Sequence, residues 1–347
     1  MAPRTNPFLA LVASVQRRTE PRMKRVLAAR QRLSHRHGPE VEALLVALSA
    51  LALRGGKRLR PAFVAAGLRA ADEDADLEAA VELGVALEFL HTYLLIHDDW
   101  MDDDALRRGG PTVHEILARA LGSRSLGAKA AVLAGDYTMG LALELVAAAA
   151  AKHAAQAELL AEFARMHNDA IFGQQLDVAA SGADPEKVYA LKTASYTVRG
   201  PLVIGALLGG ANANLIQLLE RFSRPAGIAF QLKDDLIGAF GQPATTGKPR
   251  GADLVAGKHT LLVELGLKLS RGSDRARLER VLGKKAARAD VERALVVLEA
   301  SGAKASVERR IGELVAQARR VLRARGISAQ GRTLLDGAVL ALAERPS

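Results

Sequence analysis

Two apolar segments of this chain each end in a pair of adjacent aspartates, and this feature restricts the fold more than any other. The first segment ends in Asp98 and Asp99, with three further aspartates by residue 104, and the second ends in Asp234 and Asp235. Carboxylates that lie close together repel one another and are costly to remove from water without a counter-charge. The fold must therefore bring cations to both segment ends.

The first aspartate cluster has the composition of a magnesium site. If the segment is helical, Asp98 and Asp102 lie one turn apart on the same face. Oxygen ligands without thiolates favour Mg²⁺, which commonly binds one or two carboxylates together with the phosphates of a substrate. Arg107 and Arg108 follow the cluster, and the guanidinium group of arginine forks onto phosphate oxygens. This pattern predicts the binding of a metal-bridged diphosphate.

The same residues allow two other interpretations. An acidic run at a helix end is often a solvated surface, and the arginines would then pair only with Asp103 and Asp104. The His97-Asp98 pair resembles the metal ligands of certain phosphohydrolases, but no other histidine has convincing ligand spacing. The second aspartate pair makes the diphosphate hypothesis more specific. Two acid-tipped helices could face each other across a cavity and hold one diphosphate through several Mg²⁺ ions.

The composition of the 347-residue chain predicts an all-α protein. Hydrophobic residues make up 49% and aromatic residues only 4%, and the abundant alanine, leucine, arginine and glutamate favour helix. Cysteine is absent, which excludes disulfides, thiolate metal sites and cysteine nucleophiles. Periodicity and glycine or proline breaks predict helices at 13–36, 40–54, 61–71, 76–104, 112–120, 124–150, 154–180, 185–197, 201–208, 213–240, 257–269, 273–283, 288–301, 303–324 and 328–344.

The chain shows no internal repeat and no low-complexity linker, so we expect one domain over residues 1–347, with residues 1–12 as a flexible tail. The formal net charge of +10 attracts polyanions of several classes. A nucleic-acid binder would more often carry a stripe of cations with aromatic residues, and we expect no such partner. We also expect no signal peptide, no membrane span and a cytoplasmic location.

Five motifs, in order along the chain, resemble those of the trans-prenyl diphosphate synthases, also called polyprenyl synthetases. They are GGKRLRP at 55–61, HDDWMDDDALRRGGPTVH at 97–114, GQQLDV at 173–178, KTASY at 192–196 and FQLKDDLIGAFGQPATTGKPRGADLVAGKHT at 230–260. The resemblance implies one orthogonal bundle of helices around a deep central cavity, usually in a homodimer. It also implies a Mg²⁺-dependent enzyme that joins isopentenyl diphosphate to an allylic diphosphate, with three Mg²⁺ ions at each diphosphate-bound site.

The resemblance assigns roles to individual residues. It implies that Asp98, Asp102 and Asp234 are the principal Mg²⁺ ligands, with Asp99 and Asp235 close by. The residues that it implies for the allylic diphosphate are Arg107, Lys192, Lys248 and Lys258. Those that it implies for isopentenyl diphosphate are Lys57, Arg60, His91 and Arg108. The oxygens of Thr193 and Gln231 are implied to stabilise the allylic cation, and Gln174 and Asp177 match a motif on the helix that faces the metals.

Two features of the motifs bear on activity and product. Many family members have a third aspartate in the second cluster, where this chain has Gly238, and this puts metal affinity on that side in doubt. Tyr93 and Leu94 occupy the positions that limit product length in the family. A helical wheel places Leu94, but not Tyr93, on the Asp98 face. The pattern resembles short-chain synthases and favours geranylgeranyl diphosphate over farnesyl diphosphate as product.

Two rival functions remain open. A class I terpene cyclase also ionises a diphosphate, but it usually lacks GGKRLRP and carries an Asn/Ser/Glu second metal motif. A non-catalytic partner subunit tends to lose one aspartate-rich motif, whereas this chain keeps both. Both rivals therefore fit the sequence less well than a synthase.

Overall fold

The structure is a computed structural model, and it describes residues 6–179, 182–242 and 249–343. The described chain is helical almost throughout, which confirms the predicted all-α class. Its α-helices are α1 Pro7–Ser34, α2 Pro39–Leu53, α3 Leu59–Ala71, α4 Glu78–Met101, α5 Val113–Ala120, α6 Arg124–Ala150, α7 Gln156–Val178, α8 Pro185–Tyr189, α9 Gly200–Leu208, α10 Ala213–Phe240, α11 Ala252–Val255, α12 Leu261–Leu269, α13 Gly272–Val281, α14 Arg288–Ala300, α15 Ala303–Val321 and α16 Ala329–Ala343.

Three segments differ from the sequence prediction. A π-helix, Ala190–Arg199, continues directly from α8, where a regular helix over 185–197 was predicted. A short antiparallel hairpin, β1 Leu106–Arg107 with β2 Gly110–Pro111, follows the first aspartate cluster. The predicted helix at 257–269 begins only at Leu261, because the side chain of Thr260 caps it by accepting from the Val263 N–H.

Helix α1 begins at Pro7, so residues 7–12 are helical, and their assignment to a flexible tail was wrong. The side chain of Asn6 accepts hydrogen bonds from the backbone N–H groups of Phe8 and Leu9, at 2.9 and 3.2 Å. Pro7 occupies the first helical position, where its missing N–H has no helical partner to lose. Phe8 is fully buried and packs on Phe63 of α3, with ring centroids 4.9 Å apart.

The chain divides into two compact units, and the first comprises the described residues of 1–164, 201–212 and 328–331. In this unit α4 is buried along most of its length. Close backbone packing fixes its surroundings: a Cβ atom on Gly84 would lie 2.7 Å from Pro61, and one on Gly205 would lie 1.9 Å from the Val64 carbonyl oxygen. These glycines let α4 and α9 approach α3 more closely than any side chain would allow.

The second unit comprises the described residues of 165–200, 213–327 and 332–343. Its core joins the C-terminal half of α10 to α12, α14 and α15 through buried leucines, valines and alanines. The π-helix packs tightly within this unit, because a Cβ atom on Gly227 of α10 would lie 2.3 Å from the Ala194 side chain. A π-helix is rare and often marks a functional site.

Two helices, α4 and α6, are long and apolar enough to cross a membrane by length and composition. In α4, 72% of the most apolar window is buried inside the protein, as expected of a core helix, whereas in α6 the figure is 39%. Leu126, Leu133 and Leu143 of α6 are about half exposed or more. Helix α6 therefore has an apolar face that the described part of the chain does not cover.

Candidate active site

The aspartate cluster lies at the C-terminal end of α4, in the first unit. Asp98 and Asp102 are half-buried, whereas the Asp99 carboxylate is fully buried. Burial raises the pKa of Asp99 to about 6, although the charge of Arg107 acts in the opposite direction. Among the described residues, no hydrogen-bond donor reaches the buried Oδ2 atom of Asp99. A buried carboxylate oxygen without a donor suits a bound cation.

The β1–β2 hairpin turns Arg107 back onto this cluster. Its Nε atom donates to Asp99 Oδ1 at 2.6 Å, and its Nη2 atom lies 3.6 Å from Asp98 Oδ2 and 3.3 Å from Asp104 Oδ2. Arg54 of the α2 C-terminus supports the hairpin by donating to the carbonyl oxygens of Arg107 and Pro111 at 3.0 and 2.8 Å. The sequence motifs did not point to Arg54.

The GGKRLRP segment contains three cationic side chains, but one of them, Arg58, is buried and paired inside the protein. Arg58 has a left-handed backbone, with φ of 46°, and its side chain is 1% exposed. It donates to Glu88 Oε2 at 2.7 Å and to the Ala52 carbonyl oxygen at 3.0 Å. Arg58 is therefore an internal anchor of the segment, whereas Lys57 is exposed.

The residues predicted for isopentenyl diphosphate are partly brought together. Arg108 lies 3.3 Å from His91, between their Nη2 and Nε2 atoms, and donates to the Gly55 carbonyl oxygen at 3.0 Å. Burial lowers the pKa of His91 well below its ordinary value, and the charges of Arg60 and Arg108 lower it further. His91 is consequently neutral at pH 7, beside arginines that would attract a metal-free diphosphate.

Tyr93 is buried on the side of α4 that packs on α6. Its ring lies 4.8 Å from that of His97 in an edge-to-face arrangement. Gly135 of α6 makes room for the imidazole, because a Cβ atom there would lie 2.1 Å from His97 Nε2. Leu94 is half-buried. The roles of Tyr93 and Leu94 in product length stay predictions.

The second aspartate pair lies near the end of α10, in the second unit. Asp235 is buried and accepts hydrogen bonds from the Tyr189 hydroxyl at 2.6 Å and from the Gln231 amide at 2.9 Å. Burial raises the pKa of Asp235 to about 7, against the opposing effect of both hydrogen bonds. Asp234 is only half-buried. In both pairs the first aspartate is thus more accessible to a cation than the second.

A cavity of about 230 Å³ in the second unit is lined by five residues predicted for the site: Lys192, Thr193, Gln231, Asp235 and Lys258. The Thr193 hydroxyl donates to the Gln231 carbonyl oxygen at 2.7 Å. Asp177, from the GQQLDV motif, also lines the cavity and accepts a hydrogen bond from Lys192. Lys248 lies outside the described residues, so its predicted contact with the allylic diphosphate is untested.

Asp253 of α11 fills the space beside Gly238, the position of the missing third aspartate. A Cβ atom on Gly238 would lie 2.5 Å from Asp253 Oδ2. The backbone supports this approach, since the Gly251 N–H donates to the Gly238 carbonyl oxygen at 3.3 Å. Asp253 also raises the pKa of Asp235, as does Asp234. Sequence reasoning missed Asp253, although its place in the GADL turn could have marked it.

The aspartates of the two clusters suit Mg²⁺ better than they suit a metal ion whose ligands all come from the protein. Within the described ranges, no group of three or more aspartates, glutamates or histidines could hold a metal ion by itself. Mg²⁺ commonly keeps several waters and uses one or two carboxylates plus substrate phosphates. Of the five aspartates predicted to lie at the metals, Asp98 and Asp102 in the first unit and Asp234 in the second are half-buried, whereas Asp99 and Asp235 are buried.

Comparison with known proteins gives concordant results. The family described as polyprenyl synthetase matches residues 41–298. The geranylfarnesyl diphosphate synthase of Aeropyrum pernix is 34% identical over 298 residues, which is 81% of this chain and 88% of that protein. The geranylgeranyl pyrophosphate synthase of Corynebacterium glutamicum, solved with isoprenyl diphosphate and magnesium, has a TM-score of 0.89 and 31% identity, covering 96% of this chain and 99% of that one. A polyprenyl synthase of Caulobacter crescentus, solved with calcium and isoprenyl diphosphate, has a TM-score of 0.79 and 27% identity, covering 99% and 100%.

Proposed function

Because the chain belongs to the polyprenyl synthetase family and is a prenyl diphosphate synthase, we propose that it condenses isopentenyl diphosphate with allylic diphosphates to make geranylgeranyl diphosphate. The cavity lined by Lys192, Thr193, Gln231 and Lys258 carries this proposal. It combines two cations for a leaving diphosphate with two side-chain oxygens for a carbocation. The geranylgeranyl synthase of C. glutamicum supports the twenty-carbon product, and farnesyl diphosphate is the alternative.

The reaction begins when the carbon–oxygen bond of the allylic diphosphate ionises. Arg107, Lys192 and Lys258 stabilise the negative charge that grows on the leaving group. Asp98 and Asp102 in the first unit and Asp234 in the second would hold Mg²⁺ ions, which when bound would offset the same charge as Lewis acids, and we propose three ions per site.

The second substrate is held by different groups. Lys57, Arg60 and Arg108 bind the diphosphate of isopentenyl diphosphate, and neutral His91 supports Arg108 there by accepting a hydrogen bond from its guanidinium. The oxygens of Thr193 and Gln231 stabilise the allylic cation until the double bond of isopentenyl diphosphate attacks it. Apolar walls exclude water, which would otherwise capture the cation. The departing diphosphate removes the proton, so the protein needs no nucleophile of its own.

We further propose that the protein is a cytoplasmic homodimer without a membrane span. The exposed leucines of α6 support this, because a second copy would remove them from water. Light scattering after size-exclusion chromatography without detergent measures the oligomeric state. A dimer that becomes a monomer on Leu133→Glu supports the proposal, whereas a monomeric protein, or one that stays soluble only in detergent, contradicts it.

Product analysis tests the activity itself. Purified protein is incubated with Mg²⁺ and labelled isopentenyl diphosphate, together with dimethylallyl, geranyl or farnesyl diphosphate. We expect a twenty-carbon diphosphate as the end product from every primer. Turnover of an allylic diphosphate alone, with release of diphosphate, would instead indicate a terpene cyclase. No turnover under any condition would indicate a non-catalytic partner subunit.

A further inference from the structure

Four hydrogen bonds connect Thr193 to the backbone of Leu261 through Gln231, Asp235 and Tyr189. The Thr193 hydroxyl donates to Gln231 Oε1 at 2.7 Å, and Gln231 Nε2 donates to Asp235 Oδ1 at 2.9 Å. From the other end, the Leu261 N–H donates to the Tyr189 hydroxyl at 2.8 Å, and that hydroxyl donates to Asp235 Oδ2 at 2.6 Å. The two series of donors meet at the carboxylate.

Two groups determine the direction of the series, the backbone amide of Leu261 at one end and the Asp235 carboxylate in the middle. Because the Leu261 N–H can only donate, it occupies a lone pair of the Tyr189 oxygen, and the single proton of Tyr189 is directed to Asp235. The ionised Asp235 carboxylate only accepts, so the amide nitrogen of Gln231 faces it and the Gln231 carbonyl oxygen faces Thr193. Thr193 must then use its own proton to reach that oxygen.

This direction has a chemical consequence in the cavity that Thr193 and Gln231 line together. The Thr193 proton is engaged by Gln231, so the hydroxyl presents lone pairs to a reacting carbon, and the Gln231 carbonyl keeps a second lone pair. Lone pairs stabilise an electron-deficient carbon, whereas a hydroxyl proton aimed at it would destabilise it. If the series ran in the opposite direction, the Thr193 hydroxyl proton and the Gln231 amide N–H groups would face the carbon instead.

We propose that Tyr189 is a positioning residue that holds the Asp235 carboxylate in place for Gln231, so that Thr193 and Gln231 present oxygen lone pairs to the allylic cation. The inference rests on the proposed prenyl transfer. Burial supports it, since Tyr189 is 7% exposed and Asp235 is 6% exposed, and water does not compete for these bonds. Tyr189 also tethers the start of α12, three residues after Lys258.

Tyr189→Phe tests the inference, because it removes the hydroxyl and keeps the ring. The matched control is Tyr137→Phe, at an exposed tyrosine of α6 in the first unit. We expect Tyr189→Phe to lower kcat about tenfold, the size of one lost hydrogen bond to a charged group. The KM for each diphosphate should change less than about twofold, because the affected interaction exists only in the transition state. Tyr137→Phe should match the wild-type protein.

A double-mutant cycle separates positioning from a merely structural role. If Tyr189 acts through the series, Tyr189→Phe should change kcat little in a Thr193→Val background, because the end of the series is already lost. The inference would be overturned if the double variant lost kcat by the product of the two single effects. It would also be overturned if Tyr189→Phe kept the wild-type kcat, or if it changed only KM. If wild-type protein and Tyr137→Phe both lack turnover, the proposed function itself has failed.

A second variant covers the case in which Tyr189→Phe does not fold. Asp235→Asn keeps the shape of the side chain but replaces one of its two acceptor oxygens by an amide donor, so that it can accept from Tyr189 or from Gln231 but not from both. We expect its kcat to fall at least as far as that of Tyr189→Phe, with KM unchanged, at a temperature where circular dichroism shows a folded protein. A wild-type kcat in folded Asp235→Asn would overturn the inference.

Discussion

The carboxylate of Asp253 occupies the space that a side chain at position 238 would need, 2.5 Å from an ideal Cβ atom on Gly238. Only glycine, which has no side chain, leaves room for the Asp253 carboxylate in its present place. Asp253 also lies near enough to Asp235 to raise its pKa, as Asp234 does. A fourth carboxylate introduced at position 238 would add like-charge repulsion to a region that already holds three.

This relationship predicts that restoring the aspartate of many family members will destabilise the protein without metal. Gly238→Asp should unfold more easily than the isosteric Gly238→Asn at pH 7, by about 1 kcal/mol. Urea unfolding in EDTA measures the difference. In an Asp253→Asn background the gap between the two variants should shrink. A gap that persists unchanged there would show that Asp253 is not the repelling partner.

The buried ion pair of Arg58 and Glu88 should be worth more to stability than any exposed pair. Both side chains are at most 2% exposed, so Arg58→Met leaves a buried carboxylate without its counter-charge, at a cost of about 3–5 kcal/mol. Adding Glu88→Leu should recover much of that loss. Arg275→Met, at an exposed pair of α13, should cost less than about 1 kcal/mol. Equal losses for Arg58→Met and Arg275→Met in urea unfolding would contradict the anchoring role.

His91 predicts a specific pH dependence of stability. Its folded-state pKa lies below the ordinary value of 6.5, so at lower pH the unfolded chain binds a proton that the folded protein does not. Stability should therefore fall as pH decreases from about 6.5, by up to about 1.4 kcal/mol per pH unit for this one group. Unfolding at pH 7 and pH 5.5 should show a smaller loss for His91→Gln than for wild type. The exposed His37→Gln should retain the wild-type loss, and identical losses in all three proteins would refute the assignment.

Tyr93 provides the test of product length. Its buried ring packs against His97, and Tyr93→Ala should open space below Asp98 and lengthen the end product by at least one five-carbon unit. Val296→Ala, at an exposed position of α14, is the control and should give the wild-type product. Chromatography of the dephosphorylated products measures the outcome. An unchanged product from a folded Tyr93→Ala protein would remove Tyr93 from the cavity floor.

The helical class and most helix positions could be predicted from the sequence, because periodicity, glycine breaks and composition act locally. The motifs also identified Asp99, Arg107, Thr193 and Gln231 as site residues, and the structure brings Arg107 into contact with Asp99 and Thr193 into contact with Gln231. The motifs assigned Arg107 to a diphosphate and did not predict its contact with Asp99. The missed features depend on tertiary packing. No local signal shows that Arg58 turns inward, since this follows from its left-handed backbone and from Glu88, thirty residues later.

The same limit explains the other corrections. The prediction of a flexible tail at residues 7–12 was wrong because Asn6 and Pro7 start the helix before the apolar periodicity becomes visible. The π-helix at Ala190–Arg199 arises where Gly173 and Gly227 allow close approach to its backbone and Ala194, and helical periodicity does not distinguish it from an α-helix. The roles of Asp253 and Tyr189 depend on tertiary contacts, of Asp253 with Gly238 and of Tyr189 with Asp235.

Turnover of the aspartate variants shows whether the two aspartate clusters carry the prenyl transfer. The rate of prenyl diphosphate formation from labelled isopentenyl diphosphate is measured for Asp98→Ala, Asp102→Ala and Asp234→Ala at saturating Mg²⁺, with Asp274→Ala on the exposed surface of α13 as control. We predict that each of the three lowers the rate by at least about a thousandfold, the scale of several kcal/mol of lost charge stabilisation, while Asp274→Ala keeps the wild-type rate. Near wild-type rates in folded Asp98→Ala and Asp102→Ala would contradict the account.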